Sequence, residues 1–505
     1  RQAVLGEEMT IGEKREPGAL QLPTPLLRMV MGGSPEERPE AGLFGISGTE
    51  FVDTLLELRR AANEDRVGGV LLVLRGLTAG TSQAYEVREA IAAVRASGKQ
   101  VVVYLDQVTI RDLYIATAAD WVVASPTASL RETGIGMTPF YLADLLAELG
   151  IEAQFVRTGP YKSAPEQFTQ NGPSAEARQQ IDAYLDAVYR TLLEGIGSGR
   201  DAESLERALR KAPLNAETLR ELGFVQAVAY QDELPGLYDE RYHRPLAVTD
   251  AYPTSLERGR LWIEDQQVAV IHIDGDIVDG TGGSSPLGGG ERTGADRITA
   301  ICEALMDDPN TAGVLVRINS PGGSASASDE MHRALSRLAE RKPLVVDMAG
   351  VAASGGYYAA VVGAPIYATP MTLTGSIGVF SGTFATEGLM EKLHITRVPI
   401  ERGGRANMFD LRRWSQDELA AVRRGVDDVY GLFLDRVATG RKMTREAVEP
   451  VAGGHIWSGT DAQSIGLVDG TGGLYAAWDK LASMMDTSPE RILSLIHISE
   501  PTRPE

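Results

Sequence analysis

The sequence predicts an α/β fold made of two tandem copies of one domain, each a parallel sheet covered by helices. Two observations lead there. A repeat holds its register over about two hundred residues, and within each copy short apolar strands alternate with segments of helical period.

The repeat is anchored by Gly69-Val-Leu-Leu-Val-Leu and Gly313-Val-Leu-Val-Arg-Ile, which begin 244 residues apart. The same offset relates Tyr-Ile-Ala-Thr-Ala-Ala from Tyr114 to Tyr-Ala-Ala-Val-Val-Gly from Tyr358, Ala-Ser-Pro at 124 to Ala-Thr-Pro at 368, and Leu-Gly-Ile at 149 to Leu-His-Ile at 393. Shifted by one to three residues, Gly-Ile-Gly at 134 answers Ser-Ile-Gly at 376, Val-Tyr at 188 answers Val-Tyr at 429, and Gly-Phe-Val at 223 answers Gly-Leu-Val at 466.

In chain order, residues 1–42 form an N-terminal segment whose strand pattern, Ala19 to Val30, is interrupted by Pro23 and Pro25. The first copy spans 43–233, with a strand at Gln100 to Leu105 and a helix at Ala175 to Leu193. Residues 234–266, rich in Pro, Tyr and charge and without a period, read as a linker with some local structure. The second copy spans 267–490, with strands at Val268 to Ile273 and Pro343 to Met348 and a helix at Gln416 to Ala438. The loop Gly280 to Gly294 is glycine-rich but lacks a Gly-Lys-Ser/Thr ending, so it reads as a surface loop rather than a phosphate-binding one. Residues 491–505 read as a tail. From Leu493 it runs LSLIHISEPTRPE, which continues no helix and resembles a translated sequencing adapter, so His497 is set aside with it.

Of the 505 residues 43% are hydrophobic, enough to fill the cores of two or three domains, and the net charge of −20 excludes a nucleic-acid surface built on clustered Lys and Arg. The single cysteine, Cys302, lies in the apolar run Ile298 to Leu305 and reads as core, which leaves no internal disulfide and no cysteine-rich metal site. Neither a cofactor nor a metal is expected. No stretch approaches the ~18 consecutive apolar residues of a membrane-spanning helix.

Chemistry concentrates in two turns of the second copy, each after the carboxyl end of a predicted parallel strand, where α/β folds place their sites. One is Asn-Ser-Pro-Gly-Gly at 319, the other Ala-Gly-Val-Ala-Ala-Ser-Gly-Gly-Tyr-Tyr at 349. Gly322 and Gly323 can expose backbone N–H groups as an oxyanion hole requires, and Ser354 lies between Ala353 and Gly355, which leaves room for a peptide to approach. The bland reading, a tightly packed helix start capped by Ser354, is weakened by the first copy. There Ile110, Thr78 and Ala79 stand at the positions of Ser354, Gly322 and Gly323, so packing does not require the polar set.

A hydroxyl nucleophile needs a base. His243, His272, His332, His394 and His455 are scattered, and nothing in the sequence favours a Ser-His-Asp triad, although its members need be adjacent only in space. A lysine whose pKa burial has lowered is the other route. Lys162, after the predicted strand Glu152 to Val156, is the candidate. Its repeat equivalent is Ala406, as Ile110 is that of Ser354, so each copy lacks the member the other supplies and one composite site accounts for both losses.

Ser-Pro-Gly-Gly at 320, Ala-Ala-Ser-Gly-Gly-Tyr-Tyr at 352, Thr-Gly-Ser-Ile-Gly at 374 and Gly-Pro-Tyr-Lys-Ser at 159 resemble the signal peptide peptidase A (protease IV) family in its long duplicated form. The likeness covers about Leu43 to Ser483, with all four motifs in family order. It implies a fold of the ClpP/crotonase type and a Ser/Lys dyad on Ser354 and Lys162. It also implies that Ser376 hydrogen-bonds the lysine and that backbone N–H groups of Gly322 and Gly355 form the oxyanion hole. The substrates it implies are cleaved signal peptides and other unfolded segments. By the same likeness a homotetramer is expected on the periplasmic face of the bacterial inner membrane, held by an anchor upstream of Arg1. Two rival readings are weighed. Crotonase-like chemistry on an acyl-CoA would want a poised acidic residue and leaves Lys162 unexplained, and a silent oligomeric scaffold would not need Ser354 and Lys162 together.

Overall fold

The computed structural model describes residues 24–37, 41–42, 45–46, 50–197, 202–251, 266–283 and 291–495. In the first half, strands Leu26–Gly33, Gly69–Leu77, Gln100–Leu105 and Trp121–Ala124 run parallel, with Ala227–Val228 and Val248–Thr249 at the edges. Residues Val70 to Leu74 are buried throughout, as an apolar run between two covering layers must be. Helices Phe51–Asn63 and Thr81–Ala96 cover the sheet, burying Leu55 and Leu58 from one and Val87, Ile91 and Val94 from the other.

The second half repeats this order. Strands Gln266–Val278, Thr311–Gly323, Leu344–Ala353 and Ile366–Ala368 are parallel, and helices Ala295–Asp307 and Ala325–Ala339 pack on them. The corresponding strands that begin at Gln100 and Leu344 stand 244 residues apart, the offset of the sequence repeat. Cys302 is fully buried among these residues, and burial pushes its thiol up to about 12.

Three boundaries differ from expectation. The weak strand read at Ala19 to Val30, outside the first copy, is found at Leu26–Gly33, inside its sheet between Gly69–Leu77 and Val248–Thr249. Pro25 precedes the strand, where a missing N–H costs no ladder bond. Residues 234–251, read as linker, complete the first half: helix Leu234–Tyr242 buries Leu234 and Tyr238 against Trp121, and Val248–Thr249 adds an edge strand. Leu493 to Leu495, set aside with the tail, pair in parallel with the start of Gln266–Val278. His497 and residues 284–290 of the glycine-rich loop lie outside the described residues.

The halves are locked together. Leu474, Trp478 and Leu481 of helix Gly473–Met484 fall in the same buried cluster as Leu72 and Ile91 of the first half. Beside them Arg317, 1% exposed, reaches Glu37 at 2.6 Å, Glu86 at 2.8 Å and Asp347. Two of these carboxylates come from the first half and one from the second. Removing one partner of a buried ion pair costs about 3–5 kcal/mol, because the other charge stays buried and uncompensated. The halves are therefore held in one relative placement. A second junction is an antiparallel pair between Glu152–Arg157 of the first half and Phe380–Ala385 of the second, and the candidate site lies at its end. No helix among the described residues is long and apolar enough to cross a membrane.

Candidate active site

Strand Leu344–Ala353 ends at Ser354, and helix Gly355–Ala360 begins immediately after it. The reversal forces Ser354 to φ 52° and ψ −118°, a left-handed conformation that a side chain adopts only when its surroundings impose it. The Ser354 N–H donates to the Gly375 carbonyl at 2.9 Å and its carbonyl accepts from the Tyr358 N–H at 2.8 Å, so the turn is held from both sides. The helix is only six residues long, and the Ser354 side chain does not cap it, which leaves the hydroxyl for other work.

Lys162 arrives from the other half. The antiparallel pair with Phe380–Ala385 carries Glu152–Arg157 to the second half, and the loop beyond is tied down along its length. Thr158 N–H donates to the Val379 carbonyl at 2.9 Å, Val379 N–H donates back to Thr158 Oγ1 at 2.9 Å, and Tyr161 N–H donates to the Gly453 carbonyl at 3.2 Å. Arg157 Nη1 donates to the Lys162 carbonyl at 3.0 Å and to Glu166 at 2.7 Å. Held this way, Lys162 is 3% exposed. Its Nζ lies 2.9 Å from Ser354 Oγ, 2.9 Å from Ser376 Oγ and 2.8 Å from the Ser376 carbonyl oxygen. Burial disfavours the charged form and pushes this amine from its ordinary 10.5 down to about 7. Ser376 is itself left-handed at φ 50°, fixed by its N–H on the His455 carbonyl at 2.7 Å. Both serines that meet the lysine thus sit in strained backbone, a feature that clusters at functional sites.

The glycines play different parts from one another. The Gly355 N–H is the first helical amide, so it has no intrahelical acceptor and is available to an incoming oxygen. Gly322, at φ 101°, stands so close that a Cβ there would fall 2.5 Å from the Gly355 nitrogen and 3.0 Å from Ser354 Cβ. Its missing side chain is what leaves that amide open. The Gly322 N–H, expected to be free, donates to Ser320 Oγ at 3.1 Å, because the Ser320 hydroxyl donates to the Gly275 carbonyl at 2.6 Å and turns a lone pair towards it. A Cβ at Gly323 would fall 2.0 Å from the Ile277 carbonyl oxygen, so that glycine answers to strand packing.

Two of the histidines, His455 and His332, are engaged in other contacts. His455 contributes its backbone carbonyl to Ser376, while its ring stacks on Trp457, centroids 3.9 Å apart, and meets the Tyr161 ring at a tilt, centroids 4.3 Å apart. The buried His332 meets the Val361 carbonyl at 3.2 Å. Among the described residues no group of three or more His, Cys, Asp or Glu side chains could hold a metal ion. The sequence reading missed the ties that press the lysine loop onto the second half, Thr158 and Gln180 among them. A polar residue on an apolar helix face was the available signal for Gln180, and the repeat makes it sharper.

Known proteins bear on this arrangement. The model of the family described as peptidase family S49 matches residues 93–238 and 336–488. The chain is 30% identical over 459 residues to the chloroplastic serine protease SPPA of Arabidopsis thaliana, covering 88% of this chain and 67% of that one. It is 26% identical over 454 residues to protease 4 of Haemophilus influenzae, covering 86% and 73%. Among solved structures, a ClpP1 mutant of Listeria monocytogenes aligns with 42% of this chain and 94% of its own, at 15% identity and a TM-score of 0.27.

Proposed function

The chain belongs to peptidase family S49 and is a serine-type peptidase in the long duplicated form, and from that premise we propose that Ser354 is its nucleophile and Lys162 its general base. The observation that carries the reading is the 2.9 Å approach of a buried lysine amine to a strained serine hydroxyl contributed by the other half of the chain. A neutral amine has two N–H groups and one lone pair. Ser376 Oγ and the Ser376 carbonyl accept the two hydrogens, which aims the lone pair at the Ser354 O–H.

The reaction then follows from the geometry. Lys162 takes the Ser354 proton as Oγ attacks the peptide carbonyl carbon, and the oxyanion that forms accepts from the Gly355 N–H. The Gly322 N–H joins as a second donor only by exchanging Ser320 Oγ for that oxyanion. The Lys162 ammonium returns the proton to the leaving amine as the C–N bond breaks, leaving an acyl group on Ser354. Water, deprotonated by the same amine, then releases the acid.

The substrate class we propose is extended peptide: cleaved signal peptides and other unfolded segments. Action at the periplasmic face of a bacterial inner membrane, through an anchor upstream of Arg1, belongs to the same proposal. So does assembly into a homotetramer, which a second observation supports. The strands Glu152–Arg157 and Phe380–Ala385 join the halves within one chain. Their repeat equivalents, residues 396–401 and 136–141 at the 244-residue offset, stand outside any strand, with Phe140 78%, Val398 75% and Ile400 84% exposed. A neighbouring copy offering the same pairing would cover both. The nucleophile is tested by labelling with a serine-directed phosphonate and mapping the adduct. Modification at Ser354, lost in Ser354→Ala and suppressed in Lys162→Ala, is expected. An adduct at another serine refutes the assignment.

A further inference from the structure

We propose that Gln180 is a positioning residue that holds the lysine loop of the first half against the Ser376 segment of the second. The inference rests on Lys162 acting as the base. Gln180 lies on helix Ala175–Gly197 and is 2% exposed. Its Nε2 donates to the Tyr161 carbonyl at 3.0 Å and to Ser163 Oγ at 3.0 Å, the residues on either side of Lys162. Its Oε1 accepts the Ile456 N–H at 3.1 Å. Ile456 follows His455, whose carbonyl holds the Ser376 N–H at 2.7 Å. One side chain therefore grips both flanks of the lysine and, two links away, the residue that hydrogen-bonds its amine. Both N–H donors and the oxygen of the amide are engaged, so its orientation is fixed.

The repeat supplies an independent observation. Helices Ala175–Gly197 and Gln416–Arg441 begin 241 residues apart, the offset that also relates Val-Tyr at 188 to Val-Tyr at 429. At that offset Gln180 corresponds to Ala421. The copy in which the lysine is Ala406 thus has alanine in place of the glutamine as well. A residue needed only for the helix to pack would not be expected to disappear together with the base.

The test compares kcat, KM and the pH profile of peptide hydrolysis by the full chain with Gln180→Met, Gln180→Glu and a packing control on the same helix, Ile196→Val, with folding followed by circular dichroism. Gln180→Met is expected to lower kcat about 10- to 100-fold with KM changed less than about twofold, the loss typical of a small displacement at the reacting centre. Its acidic limb should move to higher pH as water reaches the amine. Gln180→Glu keeps the acceptor for Ile456 but loses both donors and adds a negative charge beside the lysine, so its limb should move further up. The other ionisable groups facing the segment, Arg157 paired with Glu166, Tyr161 and His455, are the same in all variants. Should Gln180→Met not fold, Gln180→Asn, one carbon too short to reach both sides, carries the same expectation. A folded Gln180 variant with parental kcat and an unmoved limb overturns the inference, as does a limb moved equally by Ile196→Val. Activity retained in Lys162→Ala would instead overturn the underlying assignment of the base.

Discussion

Replacing Lys162 by Met should abolish hydrolysis and at the same time stabilise the protein near neutral pH. The lysine ordinarily titrates at 10.5 and is held at about 7 by burial. That difference of about 3.5 units corresponds to about 5 kcal/mol between its two protonation states. Between pH 7 and 10.5 the unfolded chain carries the proton and the folded chain has released it, so the parent's stability rises with pH through this window and is lost as pH falls towards 7. At pH 7 the burden on the folded state is about 4 kcal/mol. Met fills similar space without charge, at the loss of three hydrogen bonds worth about 1 kcal/mol each. The variant should therefore be about 1 kcal/mol more stable than the parent at pH 7. Urea unfolding measured from pH 7 to 10.5 should show the parent gaining about 4 kcal/mol relative to the variant, because only the parent carries the buried amine. The parent's rate on an activated ester should rise with pH to a plateau just above 7, as the neutral amine becomes the dominant form. A stability difference that stays constant across this window, with a rate that does not change between pH 6 and 8, refutes the reasoning.

Ser376→Ala should lower kcat about tenfold while leaving phosphonate labelling at Ser354, because it removes one of three contacts to the amine and not the proton acceptor. Loss as complete as in Lys162→Ala would give Ser376 a role in proton transfer. Gly322→Ala should cost about 10²–10³ in kcat with the fold intact by circular dichroism, since the new Cβ would fall 2.5 Å from the Gly355 nitrogen. Parental turnover would remove that amide from the mechanism. For assembly, light scattering at micromolar concentration should give a mass of several chains, and Ile400→Asp with Val398→Asp should reduce it by charging the exposed repeat segment. A monomer that retains full activity would refute the proposed assembly.

The parts of this protein that depend on local chemistry were legible from its sequence. The α/β class follows from apolar runs such as residues 70–74 alternating with helical periods, and the duplication follows from a constant offset. Ser354 and Lys162 stand out because Ile110 and Ala406 take their places in the opposite copies, and the structure brings their side chains to 2.9 Å. The strand at Leu26–Gly33 was obscured by Pro25, since local propensity does not register that the strand is paired on both sides. Likewise the run at 234–251 has no period, yet its Leu234 and Tyr238 pack on Trp121, more than a hundred residues earlier in the chain.

The lowered pKa of Lys162 was decided only in three dimensions. A pKa near 7 comes from desolvation, and desolvation sums over Gly453 and Gly454, the loop at 376–379 and the turn at 354, segments separated by up to about three hundred residues. The left-handed backbone of Ser354 and Ser376 and the capture of the Gly322 N–H by Ser320 are likewise set by contacts within the packed second half, to Gly375, Tyr358, His455 and Gly275. Composition and spacing determine which chemical groups are present. Their protonation, orientation and strain are properties of the packed interior, where water is excluded and distant segments fix one another in place.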